Sequence, residues 1–144
     1  MERGLKNPDL HPLLGPHEGR ELELMLKGEK PTAMFYYIVN QEEHIFSDVF
    51  TAFQPHVDLG HFIKREKTFD DGKYQTRYIF YSLPGYEKNI ERLIEIKNYT
   101  NDPTRDRSIP LPIELVRETG ELLGYPKEAI DYFVNRGQKN RANG

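Results

Sequence analysis

The chain has 144 residues, the size of one ordinary domain, and we expect a single domain over 1–144. It contains no cysteine, which excludes disulfide scaffolds, cysteine zinc sites and thiol nucleophiles. Its formal charge of −3 does not favour binding to nucleic acid or to an anionic membrane. No apolar run approaches the roughly 20 residues of a membrane span, and the first residues do not resemble a signal peptide. These features predict a cytoplasmic protein with no membrane contact.

The first part of the chain predicts an irregular arm followed by a short helix. Residues 1–16 hold three prolines and form the arm, which three leucines can attach to the body or to another subunit. Residues 18–27 then place apolar side chains at helical spacing, and Gly28 ends the helix. These apolar residues are Leu22, Met25 and Leu26.

A continuous run of aromatic and β-branched residues over 33–39 gives the strongest strand signal in the chain. Such a run is typical of a strand that is buried on both faces. The next stretch, 44–60, fits both helical spacing and strand alternation, so its structure stays open. We favour a helix that begins near Ser47 or Asp48 and is broken at Pro55.

Residues 61–83 predict a β-hairpin with strands over 61–69 and 74–83. The intervening Asp70–Lys73 turn contains Asp-Gly, which suits a tight turn because Gly72 can adopt a positive φ. The second strand alternates in opposed sets, one with Tyr74, Thr76, Tyr78 and Phe80 and the other with Gln75, Arg77, Ile79 and Tyr81.

The last third predicts helices. One covers 86–99, and two more form a C-terminal helical hairpin that begins at Pro112 and turns at Gly124, with Gly137 as its end and 138–144 as a frayed tail. The resulting fold class is α+β: a small, largely antiparallel sheet of about three strands packed by helices.

The C-terminal helical hairpin also has the outline of a helix-turn-helix, but two acids lie on its second helix. The phrase over 122–130 resembles the first turn of a ubiquitin-associated domain. Such domains have a third helix, and only seven residues follow Gly137. We therefore expect this hairpin to pack on the sheet.

Histidine and aspartate side chains cluster just after the uncertain stretch. His56, Asp58 and His61 lie within six residues, and metals bind such groups. The five-residue spacing does not place both imidazoles on one helical face, although a turn at Gly60 would fold His61 back. These three residues are the candidate site of a small enzyme, which would be either metal-dependent or a metal-free acid–base enzyme. The alternative is a helix end followed by the start of a strand.

A second candidate site is the junction between the hairpin and the following helix. Pro84 and Gly85 precede a helix whose first N–H groups can hold an anion. Arg77 and Tyr86 are the candidate side chains, and a plain turn is the alternative.

The hairpin also carries five bases against three acids over 61–80, among them Lys64 and Arg65. Bases interleaved with aromatic residues are typical of surfaces that bind single-stranded nucleic acid. The alternative is that these charges keep a sheet edge soluble. Nucleic-acid binding is the third hypothesis.

No sequence motif for a nucleophile, a phosphate loop or a dinucleotide is present, and no cofactor is predicted. Residues 31–60 carry four acids and no Lys or Arg. Our leading hypothesis is a non-catalytic binding or accessory protein of a microbial or phage type, which contacts a protein partner or a second copy through aromatic and acidic side chains. The candidate contacts are Glu42, Glu43, Asp48, Tyr74, Tyr78, Lys64 and Arg65.

Overall fold

The structure is a computed structural model that describes residues 19–41 and 44–143, with backbone only over 136–143. The predicted arm over 1–16, together with Glu42 and Glu43, lies outside the described residues. The elements in chain order are α1 (Glu21–Leu26), β1 (Thr32–Ile38), α2 (Ser47–Asp58), β2 (Ile63–Asp70), β3 (Gln75–Ser82), α3 (Glu87–Thr100), α4 (Ile113–Leu122) and α5 (Lys127–Asn143).

The three strands form one antiparallel sheet in the order β1-β3-β2, which confirms the α+β prediction. The second strand of the hairpin is therefore central, and β1 lies at an edge. The prediction that this first strand is buried on both faces is wrong, because Tyr36 is 55% exposed while Phe35 and Tyr37 are buried. One face of β1 lies under a helix, and the other is only partly covered.

Each face of the sheet carries its own hydrophobic core. On the α2 face, Phe35, Ile79 and Tyr81 pack with Phe53 of α2. On the opposite α3 face, the buried residues are Phe69, Tyr78, Phe80, Ile90 and Leu93. The two sets of β3 side chains therefore separate as the alternation predicted. Of the first set, Tyr74 is instead partly exposed at the turn.

The uncertain stretch forms a helix, α2, which begins at Ser47 as predicted. The predicted break at Pro55 is wrong, since the helix continues to Asp58. A proline within a helix removes one hydrogen bond, here to the carbonyl of Thr51. Both residues are exposed, so water can solvate that carbonyl.

The hairpin turn has the predicted chemistry. Gly72 has a φ of +94°, and its N–H donates to the Asp70 carboxylate at 2.9 Å. The Asp71 carboxylate accepts from the N–H groups of Lys73 and Tyr74, both at 2.9 Å. The two aspartates thus satisfy the backbone donors of the turn.

Helix α4 packs against α3 and α5 packs against α4, so the C-terminal hairpin packs mainly on a helix and not on the sheet as predicted. Helix α5 buries Ala129, Ile130 and Val134. Gly137 does not end this helix, which runs to Asn143 and covers most of the predicted tail. A glycine in a helix interior costs about 1 kcal/mol relative to alanine, which weakens the helix without ending it. Among the described residues, no helix is long and apolar enough to cross a membrane.

Candidate functional site

His56 and His61 form a contacting pair at the end of α2. Their Nδ1 atoms lie 3.4 Å apart, and their ring centroids are separated by 5.6 Å. An imidazole nitrogen lies about 1.1 Å from its ring centre, so the two Nδ1 atoms face each other across the gap. The structure therefore brings together two of the three residues of the predicted histidine site.

The backbone explains why a spacing of five places these rings together. The N–H of His61 donates to the carbonyl of His56 at 2.8 Å, and the N–H of Gly60 donates to Val57 at 3.0 Å. This is the Schellman arrangement, in which a residue with positive φ follows the helix and brings the flanking side chains into contact. Gly60 supplies that conformation with a φ of +82°.

Asp58, the third predicted member, does not join the pair. Its carboxylate accepts a hydrogen bond of 2.7 Å from Gln54, one turn back along α2. Within the described residues, no three His, Cys, Asp or Glu side chains meet in a group able to hold a metal ion. The pair is thus a two-nitrogen site.

The predicted anion pocket is wrong. Arg77 lies in the outer half of β3, and six residues of extended chain, about 20 Å, separate it from the Pro84 turn. Its guanidinium donates to Thr68 at 3.1 Å and to the Tyr37 hydroxyl at 3.4 Å. Tyr86 is exposed at the other end of β3, where it precedes α3.

The N-terminus of α3 has an acidic side chain in its first turn but no side-chain cap. The Glu87 carboxylate accepts from the N–H of Gly85, which precedes the helix, at 2.9 Å. An acid in this position complements the helix dipole. With Arg77 far along β3, the junction is the plain turn that was the alternative prediction.

The bases of the hairpin do not form one patch. The strand register places Lys64 and Arg77 on the α2 face and Arg65 and Lys67 on the α3 face. Lys64 also pairs with Glu66 at 3.3 Å, and the Arg65 guanidinium donates to the Lys64 carbonyl at 3.0 Å. This distribution is typical of an edge strand kept soluble by its charges.

The predicted contact residues lie in different environments. Asp48 is exposed in the first turn of α2, and Tyr74 is 38% exposed beside Lys73. Tyr78 is buried in the core of the α3 face, at 5% exposure. Its ring nevertheless stacks on the exposed Tyr36, with ring centroids 5.1 Å apart.

The hydrogen bonds of the sheet show which backbone groups of β1 point outward. Leu83 donates to Pro31, and Val39 donates to Gln75, so the odd-numbered residues of β1 pair with β3. The even-numbered residues then direct their N–H and C=O groups away from the sheet. Met34 and Tyr36 are at the centre of this outer edge.

The two edges of the sheet differ in charge. The outward-pointing residues of β2 are Lys64, Glu66, Thr68 and Asp70, three of them charged. β1 has no charged residue between Thr32 and Ile38. Charged side chains protect an edge against pairing with another chain, so only β2 has this protection.

The sequence did not indicate the role of Lys30, which is 2% exposed between α1 and β1. Its ammonium donates to the carbonyl of Leu123, at the end of α4, and lies 4.8 Å from the centre of the Tyr125 ring. Burial lowers the pKa of Lys30 to about 8, partly opposed by the charge of Glu21. Lysine is rarely buried, so no sequence pattern identified this contact.

Asn89 of α3 supports the same connection, since its amide donates to Leu122 at 3.2 Å and to Thr32 at 3.1 Å. Together with Lys30, it attaches the C-terminal hairpin to the start of the sheet. Both contacts join segments that lie far apart in the chain.

A shallow depression of about 240 Å³ lies between α1 and α2. It is lined mainly by apolar atoms of Leu22, Val49, Ala52 and Phe53, with Glu21 and Asp48 also present. None of the predicted catalytic residues lines it. No family model, curated protein or solved structure matches the chain.

Proposed function

We propose that the protein is a non-catalytic binding protein of the cytoplasm that recognises a partner protein along the outer edge of β1. The observation that carries this proposal is that no strand of the described residues pairs with the outward backbone of Met34 and Tyr36, on a strand without charge. Such an edge accepts an extended segment as a further strand, with affinity from main-chain hydrogen bonds and specificity from side chains.

Tyr36 is the side chain best placed to anchor the partner. Its ring is 55% exposed, and one of its faces stacks on the buried Tyr78. The stack restricts the ring before binding, so little conformational entropy is lost when a partner covers it. Tyrosines in such positions contribute strongly to interfaces.

The charge of the surrounding segment favours a basic partner. Residues 31–60 contain four acids and no Lys or Arg. Asp48 is exposed in the first turn of α2, two residues after Phe46, whose ring packs against Phe35 of β1 at 5.3 Å. A second copy of this chain would bring the same acidic segment to the edge, and like charges oppose that pairing. We therefore propose that the edge binds an extended, basic segment of a different protein.

The other two hypotheses have weaker support. A hydrolytic or metal-dependent enzyme requires acid, base and ligand groups that converge in a cleft. Here the candidate side chains occupy separate places: the end of α2, the middle of the sheet and the start of α3. Nucleic-acid binding requires a continuous basic surface, whereas the hairpin bases divide between two faces.

The test uses a synthetic peptide of about ten residues in which arginine alternates with threonine, the length of a long strand. Its affinity for the full chain is measured by fluorescence anisotropy. The matched control peptide has glutamate in place of arginine. We expect the basic peptide to bind and the acidic peptide to bind at least about tenfold more weakly, which corresponds to about 1.4 kcal/mol.

Tyr36→Lys places a charge on the open edge and should weaken binding of the basic peptide by about tenfold or more. Tyr86→Lys makes the same change at another exposed tyrosine and should leave binding unchanged. Equal affinity in both variants contradicts the proposal. A chain that dimerises through Tyr36 and ignores the peptide also contradicts it, because a second copy is then the occupant.

A further inference from the structure

We infer that His56 and His61 form a two-histidine binding site for a transition-metal ion of the zinc class. This inference does not depend on the proposed binding at the β1 edge, because the histidine pair lies at the end of α2. It rests on the distance between two ring nitrogens, on the backbone that fixes them and on the charge of the helix end.

The distance suits two ligands of one ion. Zinc binds imidazole nitrogen at about 2.0–2.1 Å with tetrahedral angles, which separates two nitrogen ligands by about 3.3–3.4 Å. The Nδ1 atoms of His56 and His61 are 3.4 Å apart. The same distance allows a hydrogen bond between the rings in one tautomer, and the zinc titration below distinguishes the two arrangements. Because the two Nδ1 atoms face each other directly, each ring must turn by about 35° to direct its lone pair to one ion beside the gap.

The backbone holds the two rings close together without the ion. The Schellman turn fixes the backbone of His61 relative to His56. Both His61 and Phe62 donate to the carbonyl of His56, at 2.8 and 3.3 Å. The His56 ring also packs against Phe62, with centroids 5.5 Å apart. Side chains that meet across such a turn are usually apolar. Here they are two imidazoles with their nitrogens turned toward each other.

The local charge favours a cation. The C-terminus of a helix carries a partial negative charge from its unpaired carbonyls, and the pair lies at this end of α2. Asp58 adds a carboxylate on the same last turn, although it binds Gln54 and is not a ligand. Imidazole ligands select zinc, copper and nickel over magnesium and calcium. The remaining coordination positions go to water.

The test is a titration of the chelator-treated full chain with ZnCl₂, followed by NMR of the imidazole nitrogens. We expect the Nδ1 signals of His56 and His61 to shift together at one ion per chain, while the Nε2 signals shift less. The NMR signals of each histidine are assigned separately, because the chain also contains His11 and His17, which lie outside the described residues. MgCl₂ at the same concentrations should produce no shift.

Four variants provide the contrast. His56→Gln and His61→Gln should each weaken zinc binding by about tenfold or more, since loss of even an outer-shell partner costs about 10–100-fold. Asp58→Asn removes a neighbouring charge but no ligand, so it should weaken zinc binding less than either histidine variant, and the exposed His44→Gln should bind as the wild type does. The melting temperature of each metal-free variant shows whether it is folded.

If a histidine variant unfolds, the wild-type spectrum still decides the question. Zinc shifts at both Nδ1 atoms support the site. Shifts at Nε2, at one ring only, or at neither ring overturn it, as does unchanged affinity in a folded His56→Gln or His61→Gln.

Discussion

Lys30 donates a hydrogen bond to the carbonyl of Leu123 from a position where its side chain is almost completely buried. The bond joins the start of the sheet to the end of α4, 93 residues later in the chain. A charged amine in this position loses its hydration and is only partly compensated by the helix end and the Tyr125 ring.

This burial predicts a rise in stability with pH. The pKa of Lys30 is about 8 in the folded chain, because burial disfavours the charged amine, against about 10.4 when unfolded. Between these values the unfolded chain binds a proton that the folded chain has lost, so the free energy of unfolding increases with pH. Urea denaturation from about pH 8 to about pH 10 measures the rise.

Lys30→Met removes one of two buried titrating amines, so its stability should rise less with pH than that of the wild type. Burial also lowers the pKa of Lys97, which retains its own contribution to the rise. The exposed Lys27→Met is the matched control and should retain it. A parallel pH dependence in wild type and Lys30→Met would show that the amine is not the source.

Tyr81→Phe should stabilise the protein by up to about 1 kcal/mol. The Tyr81 hydroxyl is buried and has no hydrogen-bond partner among the described residues, and burial raises the pKa of this group to about 12. The substitution removes an uncompensated polar group and keeps the ring stack on Phe53, whose centroid is 4.1 Å away. Chemical denaturation measures the change, and Tyr37→Phe is the control, because its hydroxyl accepts from Arg77. A loss of stability in Tyr81→Phe would imply a missing partner.

Phe35→Ala should destabilise the protein by about 3–5 kcal/mol. The ring is 6% exposed and lies within 5.3–6.2 Å of four other aromatic rings, three of them on or beside α2. Its loss leaves a cavity in the core of the α2 face. The adjacent Tyr36→Ala should cost less than about 1 kcal/mol, since the side chain is largely exposed. A similar loss of stability in Phe35→Ala and Tyr36→Ala would contradict the assignment of Phe35 to the core.

Gly72→Val should lower the melting temperature by several degrees. Space is available for a side chain at this position, so the cost comes from the φ of +94°, which a β-branched residue adopts poorly. Thermal unfolding followed by circular dichroism measures the change. Lys73→Val, one residue further, is the control and should melt close to the wild type. An unchanged melting temperature in Gly72→Val would mean that the turn relaxes to another conformation.

The local elements could be predicted from the sequence, because helix stops and hairpin turns depend on neighbouring residues. Gly28 and Gly124 end helices, Asp-Gly forms the turn, and the β3 alternation separates the two cores. The order of the strands could not be predicted in the same way. Whether β1 lies at the centre or the edge of the sheet depends on long-range strand pairing. An apolar sequence such as that of β1 occurs in strands at both positions.

The candidate sites show the same division. The contact between His56 and His61 depends on one local turn, so the glycine between them was a sufficient signal. The pairing of Arg77 with Tyr86 required two ends of a strand to meet, which the extended geometry excludes. The buried position of Lys30 results from packing between segments far apart in the chain and left no local pattern.

The most direct test of the proposed binding edge is hydrogen exchange of the β1 amides with and without the basic peptide. The register predicts that Phe35 and Tyr37, which pair with β3, exchange slowly in both states. Met34 and Tyr36, whose amides face outward, should exchange quickly in the free chain and slowly in the complex. Protection of the outward amides only when the peptide is present is the result expected from strand addition. Unchanged exchange at Met34 and Tyr36 in a saturated complex would contradict it.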